Sequence, residues 1–153
     1  VTPIDIEFSV LGTPAPQGSF RAAYSPKSKR AFLIQANKRT MPWRQEVAAA
    51  AMQAMQDGGL FKCGGPVSLT ATFFMPRPKG HYGKKGLRPS APRWPDKKPD
   101  LSKLLRAIED AMTGIVYIDD AQIVDCLIGK EYASVDGSAR VFIRVKTLVD
   151  TAP

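Results

Sequence analysis

Cysteine and histidine are scarce in these 153 residues, with two of the first and one of the second. Two cysteines cannot build a disulfide framework, so a reducing, cytoplasmic setting is the expectation. Cys63 and Cys126 also lack the spacing of a zinc site, and both read as small core side chains. His81 has no serine–aspartate partners that spacing would connect to it and reads as a surface residue. No run approaches the ~20 apolar residues of a membrane helix. The opening VTPIDIEFSV has neither the basic segment nor the apolar block of a secretory signal. No glycine cluster sits between a strand and a helix, which excludes the common phosphate-binding loops. What remains is ordinary globular composition, 44% hydrophobic and 24% charged, at a length that supports one real core.

Charge is unevenly placed. Lysine and arginine total 22 against 14 acids. Between Arg77 and Arg106 there are ten basic residues and two acids, Asp96 and Asp100, so this stretch holds the whole net charge of +8. Such concentration is the footprint of a polyanion partner. A solvated tail and an anionic-lipid patch are the rival readings. Flanking core-forming segments favour a nucleic-acid loop.

Periodicity organises the rest as one domain over 1–153. Ile4 to Val10 alternates as a half-buried strand, and Arg30 to Ile34 is a second, short one. A helix is expected from Thr40 to Gly58–Gly59, with Pro42 in its first turn. Val67 to Phe74 alternates as a strand. Residues 76–99 hold six of thirteen prolines and three glycines and read as a long, irregular basic loop. Leu101, Leu104, Leu105, Ile108, Ala111 and Met112 share one face of a second helix, and Gly114 stops it. Ile115 to Ile118 reads as a short strand. Ile123 to Tyr132 and Ala139 to Val149 read as a final hairpin turning at Asp136–Gly137. The order predicts an α/β (α+β) domain with a mixed sheet, two main helices and the basic loop.

Three aspartates stand out. Asp100 opens the second helix, and Asp119–Asp120 end an apolar run, where unpaired burial would be costly. An antiparallel helix and strand would bring Asp100 to Asp120, where they could share a divalent cation that bridges to a phosphodiester. Equally, Asp100 is a good helix N-cap and Asp119–Asp120 a turn.

The run Lys98-Pro99-Asp100-Leu101-Ser102-Lys103-Leu104-Leu105-Arg106, continued through Ile108-Glu109-Asp110-Ala111-Met112 to Asp119-Asp120-Ala121-Gln122, resembles the RusA family of Holliday-junction resolvases. That family shows a Pro-Asp-x-Asp-Asn-Leu-x-Lys helix, then Asp-Ala-Leu and a later Asp-Asp-x-Gln. Gly12-Thr13-Pro14-Ala15-Pro16-Gln17-Gly18-Ser19-Phe20-Arg21 is similar to its Gly-x-Pro-x-Pro-Lys-x-Arg-Pro-Arg entry, and Lys130-Glu131-Tyr132 to its Lys-x-Tyr. The resemblance runs from about residue 6 to 146. It implies Mg²⁺-dependent (or Mn²⁺-dependent) cleavage of four-way DNA junctions by a homodimer in a bacterial or phage-like setting, for which the alanine-rich first helix is one candidate dimer face. It further implies that Asp100 and Asp120 are catalytic metal ligands, with Asp119 beside them. Arg106 stands at the position of the family's basic helix residue, where a guanidinium forks onto phosphate but lacks the compact charge of lysine. Asp110 is read as mainly structural.

Ser102 departs from the pattern. The family carries its second catalytic aspartate there, and Lys103 replaces its asparagine. A serine hydroxyl is a weaker magnesium ligand than a carboxylate, so impaired cleavage with retained DNA binding is expected unless another acid, Asp119, fills the place. Gln17 stands where the family has lysine. Arg21, Lys84, Lys85, Arg93, Lys97, Lys98, Lys103 and Lys130 are the expected phosphate contacts. Tyr82 and Trp94 either stack on unpaired bases or anchor the loop, with anchoring favoured. A non-cleaving binder of branched DNA and a basic RNA-binding domain remain the alternatives.

Overall fold

The computed structural model describes residues 3–18, 20–135 and 137–150. Strand β4 (Val67–Met75) is the centre of the molecule because its residues alternate strictly: Val67, Leu69, Ala71, Phe73 and Met75 are buried and those between are half-buried. It pairs antiparallel with β8 (Arg140–Thr147) and parallel with β7 (Ile123–Tyr132), while β1 (Asp5–Leu11) pairs with β8. The sheet order is therefore β1-β8-β4-β7, with β7 at one edge.

Two helices cover one face of this sheet. Helix α1 (Thr40–Asp57) buries Trp43, Val47, Ala51 and Met55. Gly12, at φ +128°, lets the first loop close on the Trp43 ring, which would lie 3.3 Å from an added Cβ. Helix α2 (Leu101–Met112) buries Leu104, Ala107, Ile108, Ala111 and Met112, with Leu101 and Leu105 partly buried beside them. These residues join the inward faces of β1, β4 and β8 in one core. The helices, the mixed sheet and the fold class agree with the sequence reading.

Several expectations are corrected. β7 and β8 exist, but β4 lies between them, so they are no hairpin. The physical reason is the crossover: a parallel partner for β4 requires a long connection, and the basic loop with α2 supplies it. The link after β7 then spans two strand spacings, roughly 10 Å, to reach β8. Of the expected turn pair, Asp136 lies outside the described residues. Ile115–Ile118 is no strand. The chain turns tightly at Gly114 (φ +84°) and makes an isolated bridge from Tyr117 to Cys63, with Val116 and Tyr117 buried. Cys63 is core, as expected, but Cys126 is exposed because it lies on the edge strand.

The sequence reading also missed a strand. β2 (Phe20–Ser25) pairs with β3 (Arg30–Gln35) as a separate two-stranded arm. Its surface shows Phe20, Tyr24, Phe32 and Leu33. A second, minimal ribbon, β5 (Tyr82–Gly83) with β6 (Gly86–Leu87), carries Lys84 and Lys85 at its tip inside the basic loop.

Candidate nucleic-acid interface and acidic site

The basic loop is stapled rather than slack, and its own arginines do part of the stapling. Arg77 donates to the Pro92 carbonyl at 2.7 Å and stacks 4.2 Å above the Tyr132 ring. Arg88 donates to the Tyr82 carbonyl. His81 is half-buried, edge-on to Tyr132 and 3.3 Å from Arg77 through Nδ1. Lys130 donates to the carbonyls of Lys97 (2.7 Å) and Pro99 (3.0 Å), fixing the segment that leads into Asp100. The Lys-x-Tyr pair that closes β7 thus positions the loop. Trp94 corrects the anchoring expectation: it is 55% exposed, with Arg93 stacked on it. Lys84, Lys85, Lys97 and Lys98 are exposed as well.

Asp100 stands at the start of α2 in a cleft of about 480 Å³. Arg39, Lys97, Lys98, Lys103 and Lys130 line the cleft with it, five cations around one carboxylate. The Asp100 side chain makes no capping hydrogen bond, which leaves its carboxylate to face the cleft. Lys103 Nζ lies 3.7 Å from it. Ser102 and Arg106 are exposed in the first and second turns of the helix. Near Arg106 runs the first loop. There Gln17 does not replace lysine as a cation; it donates from its side chain to Asp110 and from its backbone to the Lys103 carbonyl. Asp110 is structural in this sense.

The arm rises from the rim of this cleft, since Asn37 and Arg39, just beyond β3, line it. Arg21 is exposed on the arm, and no acid occurs between Gly18 and Arg44. Sequence reading placed all net charge in the loop and so passed over this second basic surface. The signal available was the absence of acids, not an excess in the total.

Asp119 and Asp120 form the other half of the expected site. Asp119 caps a short 3₁₀ turn by accepting from the Ala121 N–H at 2.8 Å. Gln122 locks that turn: its side-chain oxygen accepts from the Ile118 and Asp119 N–H groups, and its amide donates to the Cys63 and Gly65 carbonyls. That explains the spacing of the Asp-Asp-x-Gln motif, in which sequence alone gives the glutamine no role. The Ala121 N–H, with Asp120 adding, holds the Asp119 carboxyl below its usual range. Its hydrogen bond with Asp119, then burial and the charges of Asp119 and Asp110, push Asp120 up. Glu109 is also raised, first by burial and then by Asp120 and Asp110.

These neighbours locate the pair. Tyr117, two residues before Asp119, donates its hydroxyl to the Glu109 carbonyl, which places the Asp119–Asp120 turn toward the last turns of α2, whereas Asp100 begins that helix. Ten helical residues separate Asp100 from Asp110, roughly 15 Å at 1.5 Å per residue. The strand gives the same picture, because Asp120 just precedes β7 while Asp100 lies by Lys130 near its end. The expectation that Asp100 and Asp120 share one cation within a chain is therefore corrected. The segment taken for a returning strand is a turn, and it leaves both acids at the far end of the helix. Among the described residues, no three histidine, cysteine, aspartate or glutamate side chains gather as a metal site.

A stapled basic loop, a cleft of cations at a helix start and an Asp-Asp-x-Gln turn together make a strongly positive surface of the kind that suits a polyanion, and the family comparison gives the chain its class. Residues 13–146 match the model of the RusA endodeoxyribonucleases, and the chain belongs to that family. It is also 30% identical over 131 residues to the uncharacterized protein YqaN of Bacillus subtilis (strain 168), covering 84% of this chain and 88% of the relative. Among the described residues no helix is long and apolar enough to cross a membrane.

Proposed function

We propose that this chain binds four-way DNA junctions as a RusA-family protein whose own strand cleavage is impaired by Ser102. The observation that carries the reading is the setting of Asp100: one carboxylate among five cations, with a lysine at 3.7 Å and a serine two residues on. Lys97, Lys98 and Lys103 at the cleft, Lys84, Lys85 and Arg93 along the loop, and Arg21 on the arm are the proposed contacts to phosphate. Such contacts position DNA without reading its sequence. Arg106, exposed on α2, would fork onto a phosphate near the helix start. Lys130 acts there by holding the loop.

Family membership implies a divalent cation, Mg²⁺ or Mn²⁺, with Asp100, Asp119 and Asp120 as its ligands. Within one chain the donors do not fit such an ion: Asp100 is far from the other two, and Ser102 adds no charge. No hydrolytic step is therefore routed through a metal. What the chain's own residues do is attract the backbone, orient it along the cleft and stabilise its charge.

The test is binding of a labelled four-way junction, a linear duplex of equal length and a structured RNA, each across a salt series, followed by incubation with 10 mM Mg²⁺ as an assay condition, roughly the saturating range for weak carboxylate sites. Tighter binding to the junction with little cutting is expected. Equal affinity for duplex, or preference for the RNA, overturns the reading.

A further inference from the structure

The β2–β3 arm holds apolar surface outside the core. None of its apolar side chains belongs to the core or to the residues packed against it, and a two-stranded ribbon alone gains little by folding in water. Yet Phe20, Tyr24 and Leu33 are 56%, 63% and 70% exposed. Register puts the three on one face: Phe20 stands opposite Gln35, Ala22 opposite Leu33 and Tyr24 opposite Ala31. Leu33 is therefore diagonal to both rings and within reach of each, and the two alanines leave the stripe open. The opposite face carries Arg21, Phe32 and Arg30, and the tip adds Lys27 and Lys29.

The root of the arm is fixed. Thr40, buried at the start of α1, donates to the Pro16 carbonyl at 2.6 Å and accepts from Gln35. Arg39 donates to the Thr13 carbonyl at 2.9 Å, and the Gln17 N–H to the Lys103 carbonyl. Both ends of the ribbon are thereby tied to the helices beside the cleft, which Pro16 and Arg39 line. An aromatic stripe ringed by cations, with no acid near it, suits bases joined by phosphates. A second arm laid on the first would set cation against cation. Duplex DNA keeps its bases stacked inside, so only unpaired bases reach such a face.

We propose that the β2–β3 arm binds unpaired DNA bases, stacking them on Phe20, Tyr24 and Leu33 while the cations of the arm hold the flanking phosphates. A ring takes any base this way, since every base has a π-face. The crossing of a four-way junction, where pairing is interrupted, supplies such bases; the proposal rests on the junction reading for that source alone.

The experiment measures binding of labelled probes by the full chain: an oligothymidylate of about 12 nucleotides, within the site sizes of single-strand binders, an abasic strand and an oligouridylate of the same length, and a blunt duplex. Wild type, Tyr24→Ala, Tyr24→Phe and Leu33→Ser are compared at one salt concentration. Both positions are exposed, so the variants keep the fold, checked by circular dichroism. Wild type should hold the oligothymidylate at least about fivefold more tightly than the abasic strand, the factor that one stacked base supplies. Tyr24→Ala and Leu33→Ser should lose that advantage and Tyr24→Phe should keep it, while all four chains bind the abasic strand and the duplex alike. Equal binding of the thymidylate and abasic strands by wild type overturns the proposal, whatever the junction shows. An unchanged thymidylate affinity in Tyr24→Ala and Leu33→Ser overturns it as well. Tighter arm-dependent binding of the oligouridylate gives the face to RNA, and a lower sedimented mass for Tyr24→Ala gives it to a second copy of this chain; either result overturns the proposal. Arm-dependent binding of the thymidylate strand with no preference for a junction over duplex keeps the arm's role and removes the junction as the source of its bases.

Discussion

Gln122 makes a loop of two adjacent aspartates into a fixed turn. Two of its four hydrogen bonds close the turn on Ile118 and Asp119, and two tie it to Cys63 and Gly65. Gln122→Ala strips partners from backbone groups on both sides, and unsatisfied groups cost about 1–3 kcal/mol each where buried. Because this site is only half-buried, a loss near the lower figure is expected in chemical denaturation. Ser102 carries a different prediction. Ser102→Asp restores the second carboxylate at the start of α2 and should raise Mg²⁺-dependent junction cleavage at least about tenfold, the rate equivalent of 1.4 kcal/mol. An unchanged cutting rate in a single-turnover assay would remove Ser102 as the cause of impairment. Glu109 gives the pH dependence. Its folded-state pKa is raised, so its protonated form favours the fold at low pH and that contribution is lost as pH rises through the folded value. Glu109→Gln should therefore raise the unfolding temperature at pH 7 and do nothing below about pH 3, where the carboxyl is protonated in both states. Half-buried and within reach of solvent screening, this group should yield under about 1 kcal/mol.

Elements differed in how legible they were. Helix α2 was readable because six apolar residues at helical offsets all reach the core or its margin. β4 was readable from alternation alone. β2 was not, because FRAAYS buries nothing and so leaves no periodic mark. Partners were harder than elements: β7 and β8 both show strand composition, yet which strand lies between them depends on the crossover through α2, which no local pattern encodes. The acids were found by type, and their separation was missed for the same reason. The direction of one short segment, 115–118, decided it, and Gly114 turned that segment back. The missed arm yields its own prediction. Replacing Lys27, Lys29 and Arg30 together by Gln should lower the salt slope of junction binding by about 0.9 for each phosphate that the arm no longer neutralises. Thermal unfolding should be unmoved, since all three are exposed and outside the core.

At the scale of the molecule, the helices occupy one face of the sheet, and the cleft, the loop and the arm gather toward the start of α2. The stapling of the loop bears on how it would meet a ligand. Arg77, Arg88 and Lys130 each bind a backbone carbonyl, so this long segment loses its conformational freedom on folding. Association with a polyanion then has little left to freeze, and its thermodynamics should be governed by displaced counterions, with only a small change in heat capacity.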